Sequence, residues 1–318
     1  MKPLANIVIA GASGFIGVNL LRRIHHDPAF EHFEQLVLVD PLQYGVQKIP
    51  SRILADERVR FERISIYAPG VAARLIGAGD LVIHSAAEVN TADSPQGAVG
   101  DDPIGYLRVL ADAGIGRLLF MSSADVYGIN DSDDLRETDP VRPTTIYAAA
   151  KAAFEAYLSA FHASEGLPVV VFRPVTIYGP DQYPGWLVPV VITRALAGRR
   201  VTLLGDGSAR RDWIHVEDVC ELLVAASLTD RDDVHGEVFN IGTGTEDTVL
   251  GMTRYILDTI DHPDCGIDLA PARPADPRRQ VTTAAKARDS FGWAPRIGLR
   301  EGLDRTIAAY RQPAPSEV

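Results

Sequence analysis

Cysteine is scarce in this 318-residue chain: only Cys220 and Cys265 occur. Their spacing fits neither a disulfide framework nor a metal site, which points to a reducing compartment and no bound metal. Basic charge is short as well. The 31 Lys and Arg residues are outnumbered by 42 Asp and Glu, for a formal net charge of −11. Such a surface repels nucleic acid and anionic membranes. No apolar run approaches the roughly 20 residues of a membrane span. The first run, Ile7 to Ala10, is too short for a secretory signal core. Repeats and low-complexity tracts are missing too. With 46% hydrophobic and 23% charged residues, the balance is that of a cytoplasmic globular protein. It is large enough for one big domain or two lobes on a shared core.

The first half alternates short apolar runs with helical patterns. Asn6–Ala10, Leu36–Asp40, Leu81–His84, Leu118–Ser122 and Val169–Arg173 are rich in Val, Ile and Leu, as are parallel strands covered on both faces. Helical segments between them predict a Rossmann-type, doubly wound α/β parallel sheet. The clearest helix runs from Tyr147 to Glu165. Phe154, Tyr157, Leu158 and Phe161 recur there at helical spacing, and Gly166 and Pro168 stop it. Pro and Gly cluster later, in 179–185 and 271–277. Residues 1–175 are expected to form the sheet domain, and 176–318 mainly a smaller mixed α/β lobe at its carboxyl edge. Segments near 213–241 are expected to return to the sheet domain. Residues from about Gln312 read as a tail.

The first strand runs straight into Gly11-Ala12-Ser13-Gly14-Phe15-Ile16-Gly17. Such a turn brings backbone N–H groups and a helix N-terminus toward a pyrophosphate, and a Cβ would block the approach. Asp40 closes the next strand, where an acid accepts a ribose hydroxyl. A carboxylate there repels the extra phosphate of NADP, so NAD is the expected cofactor.

Tyr147 and Lys151 are four residues apart and share one helix face. A nearby ammonium favours the phenolate and lowers the Tyr pKa, which suits a general base for a sugar hydroxyl. His215 lies in a strand that reads as buried, as a satisfied core histidine.

The segments GASGFIG (11–17), HSAA (84–87), MSSADVYG (121–128), YAAAK (147–151), RPVTIYGP (173–180), RRDWIHVEDV (210–219) and FGWAP (291–295) follow one another along nearly the whole chain. In this order they resemble an extended short-chain dehydrogenase/reductase of the NAD-dependent NDP-sugar epimerase/dehydratase family. The resemblance implies that Tyr147 is the catalytic base, Lys151 its partner, and Ser123 the hydroxyl that meets the reacting sugar oxygen. It places Gly11, Gly14, Phe15, Ile16, Gly17, Asp40, Ala86, Ala87, Tyr147, Lys151 and Pro174 on NAD. Ser123, Thr176, Arg211 and Arg273 fall on the nucleotide-diphosphate sugar, the two arginines gripping the diphosphate with their guanidinium forks. It also implies a homodimer packed through the Tyr147 helix.

The implied chemistry opens with hydride removal from sugar C4 while Tyr147 takes the hydroxyl proton. The 4-keto sugar then turns over and regains the hydride, giving a 4-epimer, or loses its C5 proton and C6 water, giving a 4-keto-6-deoxy sugar. Dehydratases of the family usually carry an Asp–Glu pair after the catalytic Ser; here Ala124 and Asp125 follow Ser123. A nucleotide-sugar 4-epimerase is therefore the first expectation. The alternatives are a 4,6-dehydratase-like enzyme with Asp125 as C5 base, a 4-ketoreductase or decarboxylase, and a non-enzymatic NAD(H) sensor. The stretches 178–189 and 205–220, with Pro277-Arg278-Arg279, resemble the dehydratases more. Thr176 and Asp102 stand where the family usually has Asn, Tyr106 where it has Thr, and Ser65 where it has Asp.

Overall fold

The computed structural model describes residues 6–25, 27–30, 33–42, 48–86, 102–130, 132, 134–262, 265–273 and 277–311. The strands are β1 (Asn6–Ala10), β2 (Gln35–Val39), β3 (Val59–Glu62), β4 (Leu81–His84), β5 (Arg117–Met121), β6 (Val169–Pro174), β7 (Thr176–Tyr178), β8 (Val201–Leu204), β9 (Arg210–Arg211), β10 (Trp213–His215), β11 (Val238–Ile241), β12 (Asp247–Thr248), β13 (Ile267–Ala270) and β14 (Arg279–Gln280). The helices are α1 (Phe15–Ile24), α2 (Ser51–Leu54), α3 (Val71–Leu75), α4 (Pro103–Ala113), α5 (Ile146–Glu165), α6 (Leu187–Leu196), α7 (Val216–Leu228), α8 (Val249–Ile260), α9 (Ala285–Phe291) and α10 (Leu299–Arg311).

Seven strands form one parallel sheet in the order β11-β6-β5-β4-β1-β2-β3. Both faces of its strands other than β3 are mainly apolar, so successive residues enter different cores. Ile7, Ile9, Leu36, Leu38, Ile83, Leu119 and Phe172 pack under α1 and α7. Val8, Val37, Val39, Val82, Leu118, Phe120 and Val171 pack under α3, α4 and α5. The runs read from the sequence form strands within one residue of their expected ends. β3 is additional. Its residues are only half-buried or exposed, so it lacks the continuous apolar run that marks its neighbours.

The order reverses between β1 and β4, and in such sheets the ligand crevice opens at the carboxyl ends of those two strands. A third core joins α6, α8 and α10 through Val191, Ile192, Met252, Ile256, Leu303 and Ile307. β7 pairs with β10, β8 with β13, and β9 lies between β12 and β14. The chain leaves the large sheet after β6 and returns to its edge as β11, with α7 packed against α1. Among the described residues, no helix is long and apolar enough to cross a membrane.

Candidate active site

The glycine loop lies at the mouth of the crevice. Gly11 has φ +85°, and a Cβ there would sit 2.6 Å from the Ala86 nitrogen. At Gly17 a Cβ would collide with the Gly11 carbonyl oxygen. These contacts fold the loop flat against the end of β4 and aim the first-turn N–H groups of α1, at Phe15, Ile16 and Gly17, outward. Gly14 caps α1 without a side chain, leaving room for a pyrophosphate. Asp40 accepts from Ser13 N at 3.0 Å and from Leu42 N at 2.8 Å, which fixes its carboxylate beside the loop. Burial raises its pKa, against the two backbone hydrogen bonds. Gly11, Gly14, Phe15, Ile16, Gly17, Asp40 and Ala86 therefore share one rim and fit NAD; Ala87 lies outside the described residues. A loop of the second lobe closes over α1. Asn19 Nδ2 donates to the Pro180 carbonyl at 3.0 Å, Arg22 pairs with Asp181, and the Phe15 and Trp186 rings meet edge to face at 6.4 Å.

The candidate catalytic residues sit one strand away, where β5 ends. Thr145 caps α5 by accepting from Ala148 N at 3.1 Å, which places Tyr147 in the first turn and Lys151 one turn on. Ser123 starts a short 3-10 helix, Ala124–Tyr127, accepting from Asp125 N at 3.1 Å. Its hydroxyl also hydrogen-bonds the Tyr147 phenol. Asp125 is close enough to raise the Tyr147 pKa by its charge. Ser123, Asp125, Tyr147 and Lys151 thus converge.

The expected lowering of the Tyr147 pKa is not seen. Burial holds the half-buried phenol above its ordinary value, and the Asp125 carboxylate adds to this. Lys151 lies near the phenol ring, its Nζ 6.0 Å from the Tyr147 ring centre, but makes its hydrogen bond to the backbone. Its ammonium donates to the Met121 carbonyl at 2.7 Å and lies 5.0 Å from the Phe120 ring centre. Burial lowers its own pKa to about 8.

Several buried groups support this cluster without being legible as site residues. His84, at 0% exposure, sits between the Tyr67 and Tyr106 hydroxyls, 2.9 Å from Nε2 and 3.2 Å from Nδ1. Burial, with the Lys151 charge, lowers its pKa to about 3. Tyr106 thus has a structural use, and Asp102 caps α4 by accepting from Gly105 N at 2.8 Å. Ser122 donates to Glu155, which pairs with Arg173; Arg173 Nη1 donates to the Tyr127 hydroxyl at 2.9 Å, and Tyr127 donates to Asn240 at 2.7 Å. This chain ties α5 to β5, β6 and β11. Ser65 caps a turn by accepting from Tyr67 N at 3.2 Å.

Pro174 ends β6, buried opposite Ile241, and Thr176 opens β7 opposite Trp213. Arg211 pairs in register with Gln280, whose side-chain amide donates to Asp125 Oδ1 at 2.9 Å. In-register partners share a face, so Arg211 belongs on the Asp125 side. Arg273 is exposed in the stretch after β13, and no hydrogen bond or ion pair among the described residues joins it to the cluster. His215 is a core residue at 0% exposure, satisfied on one side only. Its Nδ1 accepts from Glu217 N at 3.4 Å, and Nε2 has no partner among the described residues. Gln280 is the contact that sequence reasoning missed; its one signal is its place directly after Arg278-Arg279.

The geometry can bind a dinucleotide and exchange a proton at a hydroxyl, with a second carboxylate in reach. Known proteins agree with it. The family model described as "NAD dependent epimerase/dehydratase family" matches residues 7–242. The chain is 35% identical over 315 residues to a dTDP-glucose 4,6-dehydratase of an Actinoplanes species, covering 96% of this chain and 97% of that one. It is 29% identical over 317 residues to a UDP-glucose 4-epimerase of Mycolicibacterium smegmatis, covering 96% and 98%. A dTDP-glucose 4,6-dehydratase from Streptomyces venezuelae, solved with NAD bound, superposes with a TM-score of 0.89 at 30% identity, covering 96% of this chain and 97% of that one. The chain belongs to the NAD-dependent epimerase/dehydratase family.

Proposed function

We propose that the protein oxidises C4 of a nucleoside-diphosphate hexose and then removes the C5 proton with Asp125, in the manner of a 4,6-dehydratase. The observation that supports this reading is the Asp125 carboxylate, whose charge reaches Tyr147 and which accepts a hydrogen bond from Gln280. Tyr147 acts at the C4 oxygen, and C5 is bonded to C4. A carboxylate next to the phenol therefore suits C5. In a 4-epimerase the same carboxylate has no task and only makes Tyr147 harder to ionise. The order of the two readings taken from the sequence is reversed for this reason, and the names of the relatives at 33–35% identity lean the same way.

NAD, when bound, accepts the C4 hydride and later returns it to the sugar. Ser123 and Tyr147 hold the C4 hydroxyl, and Tyr147 takes its proton. The C5 proton passes to Asp125, and the electron pair left at C5 forms the C5–C6 double bond as the C6–O bond breaks. Ala124 is fully buried and supplies no acid. Asp125, now protonated, hands its proton to the departing hydroxide as water; when the hydride comes back at C6, C5 takes up a proton from solvent relayed by the Asp125 carboxyl, which gives the 4-keto-6-deoxy sugar. Arg211 and Arg273 serve the diphosphate in this scheme.

The buried Ala124 favours a second reading, the 4-epimerase, in which the keto sugar turns over and C5 stays untouched. One experiment separates the two. Purified protein is incubated in D2O with dTDP-, UDP-, CDP- and GDP-hexoses. The dehydratase reading predicts a 4-keto product absorbing in alkali and deuterium at C5. A 4-epimer without deuterium would sink it. We further infer a homodimer through α4 and α5, where Ile104 and Tyr157 remain 50% and 38% exposed; light scattering of the purified chain tests it.

A further inference from the structure

We propose that Gln280 is the positioning residue for Asp125, fixing the carboxylate for proton transfer at C5. The inference rests on the reading of Asp125 as the C5 base.

A carboxyl group on a short side chain turns easily about its last torsion. The Gln280 amide stops that turn by donating to Oδ1 at 2.9 Å, which leaves Oδ2 as the oxygen free to take a proton. Gln280 is itself held. It is 5% exposed, and its carbonyl accepts from Asp212 N at 3.0 Å. The next carbonyl, of Val281, accepts from Leu135 N at 2.9 Å. Asp212 is fully buried and accepts from Thr243 N and Gly244 N at 3.0 Å each. Moving Gln280 therefore means parting β14 from β9 and the next residue from Leu135.

The choice of a neutral donor has a chemical purpose. A guanidinium on Asp125 would stabilise the carboxylate strongly and make it a poor base; an amide orients it at lower cost to basicity. Of the guanidiniums nearby, Arg211 donates from Nη1 to the Arg210 carbonyl at 3.0 Å, and the other two are drawn away. Arg210 and Arg279, in register with each other, bind Glu246 at 2.9 and 2.6 Å.

The test uses the NAD-loaded full chain, with dTDP-glucose, UDP-glucose, CDP-glucose and GDP-mannose as probes. Bound NADH absorbance in single turnovers reads C4 oxidation, and deuterium uptake from D2O reads C5. Gln280→Met removes the donor at similar volume. The expected result is a C5 rate that falls at least tenfold more than C4 oxidation. Asp125→Glu with Gln280→Asn moves one methylene across the contact and should recover part of the C5 rate. This pair also serves if Gln280→Met fails to fold. An unchanged C5-to-C4 ratio in Gln280→Met, or no recovery in the paired variant, would overturn the role of Gln280 and leave Asp125 standing. A wild type that oxidises C4 but takes up no deuterium would remove Asp125 as base, and the inference with it.

Discussion

Lys151 carries a charge into a buried place. Burial lowers its pKa from 10.5 to about 8, so the folded protein binds this proton less tightly than the unfolded chain does. The burden on stability is complete below about pH 8. It fades as pH rises toward 10.5, where both states are neutral. Compared with Lys151→Met, the wild type should therefore gain stability across that window, as urea denaturation at pH 7 and pH 10 would show. Tyr147 has the opposite problem, a phenol that burial and Asp125 keep protonated. Tyr147→Phe should cut C4 oxidation by about 10²- to 10⁴-fold, the usual share of a general base, while NAD binding by fluorescence titration stays in place. At Glu155 the question is stability. Its pair with Arg173 is buried, and Glu155→Ala leaves that guanidinium without its counter-charge. A loss of about 3–5 kcal/mol is expected in denaturant titrations.

At the scale of elements, the cap on α5 matters more than its size implies. Thr145 fixes the turn that holds Tyr147. Thr145→Ala should cost about 1 kcal/mol of stability, measured by thermal unfolding, and should lower kcat further than that loss alone explains. The elements that sequence reasoning found are those that announce themselves locally. β1, β4 and β6 are unbroken apolar runs because both of their faces are covered, and Tyr147 and Lys151 meet because a helix brings i and i+4 together. β3 was hidden by its half-exposed surface. β9, β12 and β14 have two residues each, too few for any periodicity. The contact of Gln280 with Asp125 spans 155 residues, and nothing near either residue signals it. The Tyr147 pKa moves against expectation for another reason: spacing gives the shared face with Lys151, but not the burial and the Asp125 charge that raise it.

Across the whole molecule, chain from beyond residue 175 returns to complete the large sheet. β11 completes the edge of the large sheet, and Val219, Leu222 and Leu223 of α7 cover its α1 face. A fragment ending at residue 175 would expose β6 and lose that cover. It should remain unfolded or aggregate, with no cooperative transition by circular dichroism, although it contains every glycine of the NAD loop.

The span between Asp125 and Gln280 also has a kinetic meaning. The rim proposed to hold NAD draws on residues from Gly11 to Ala86, whereas the carboxylate waits for a strand near the far end of the chain to pair. Loop closure over so many residues is entropically costly and slow to be rewarded. During refolding from denaturant, NAD binding should return before deuterium uptake at C5 does. A newly made chain would then pass through a stage in which it holds its cofactor but has not acquired its second chemical step.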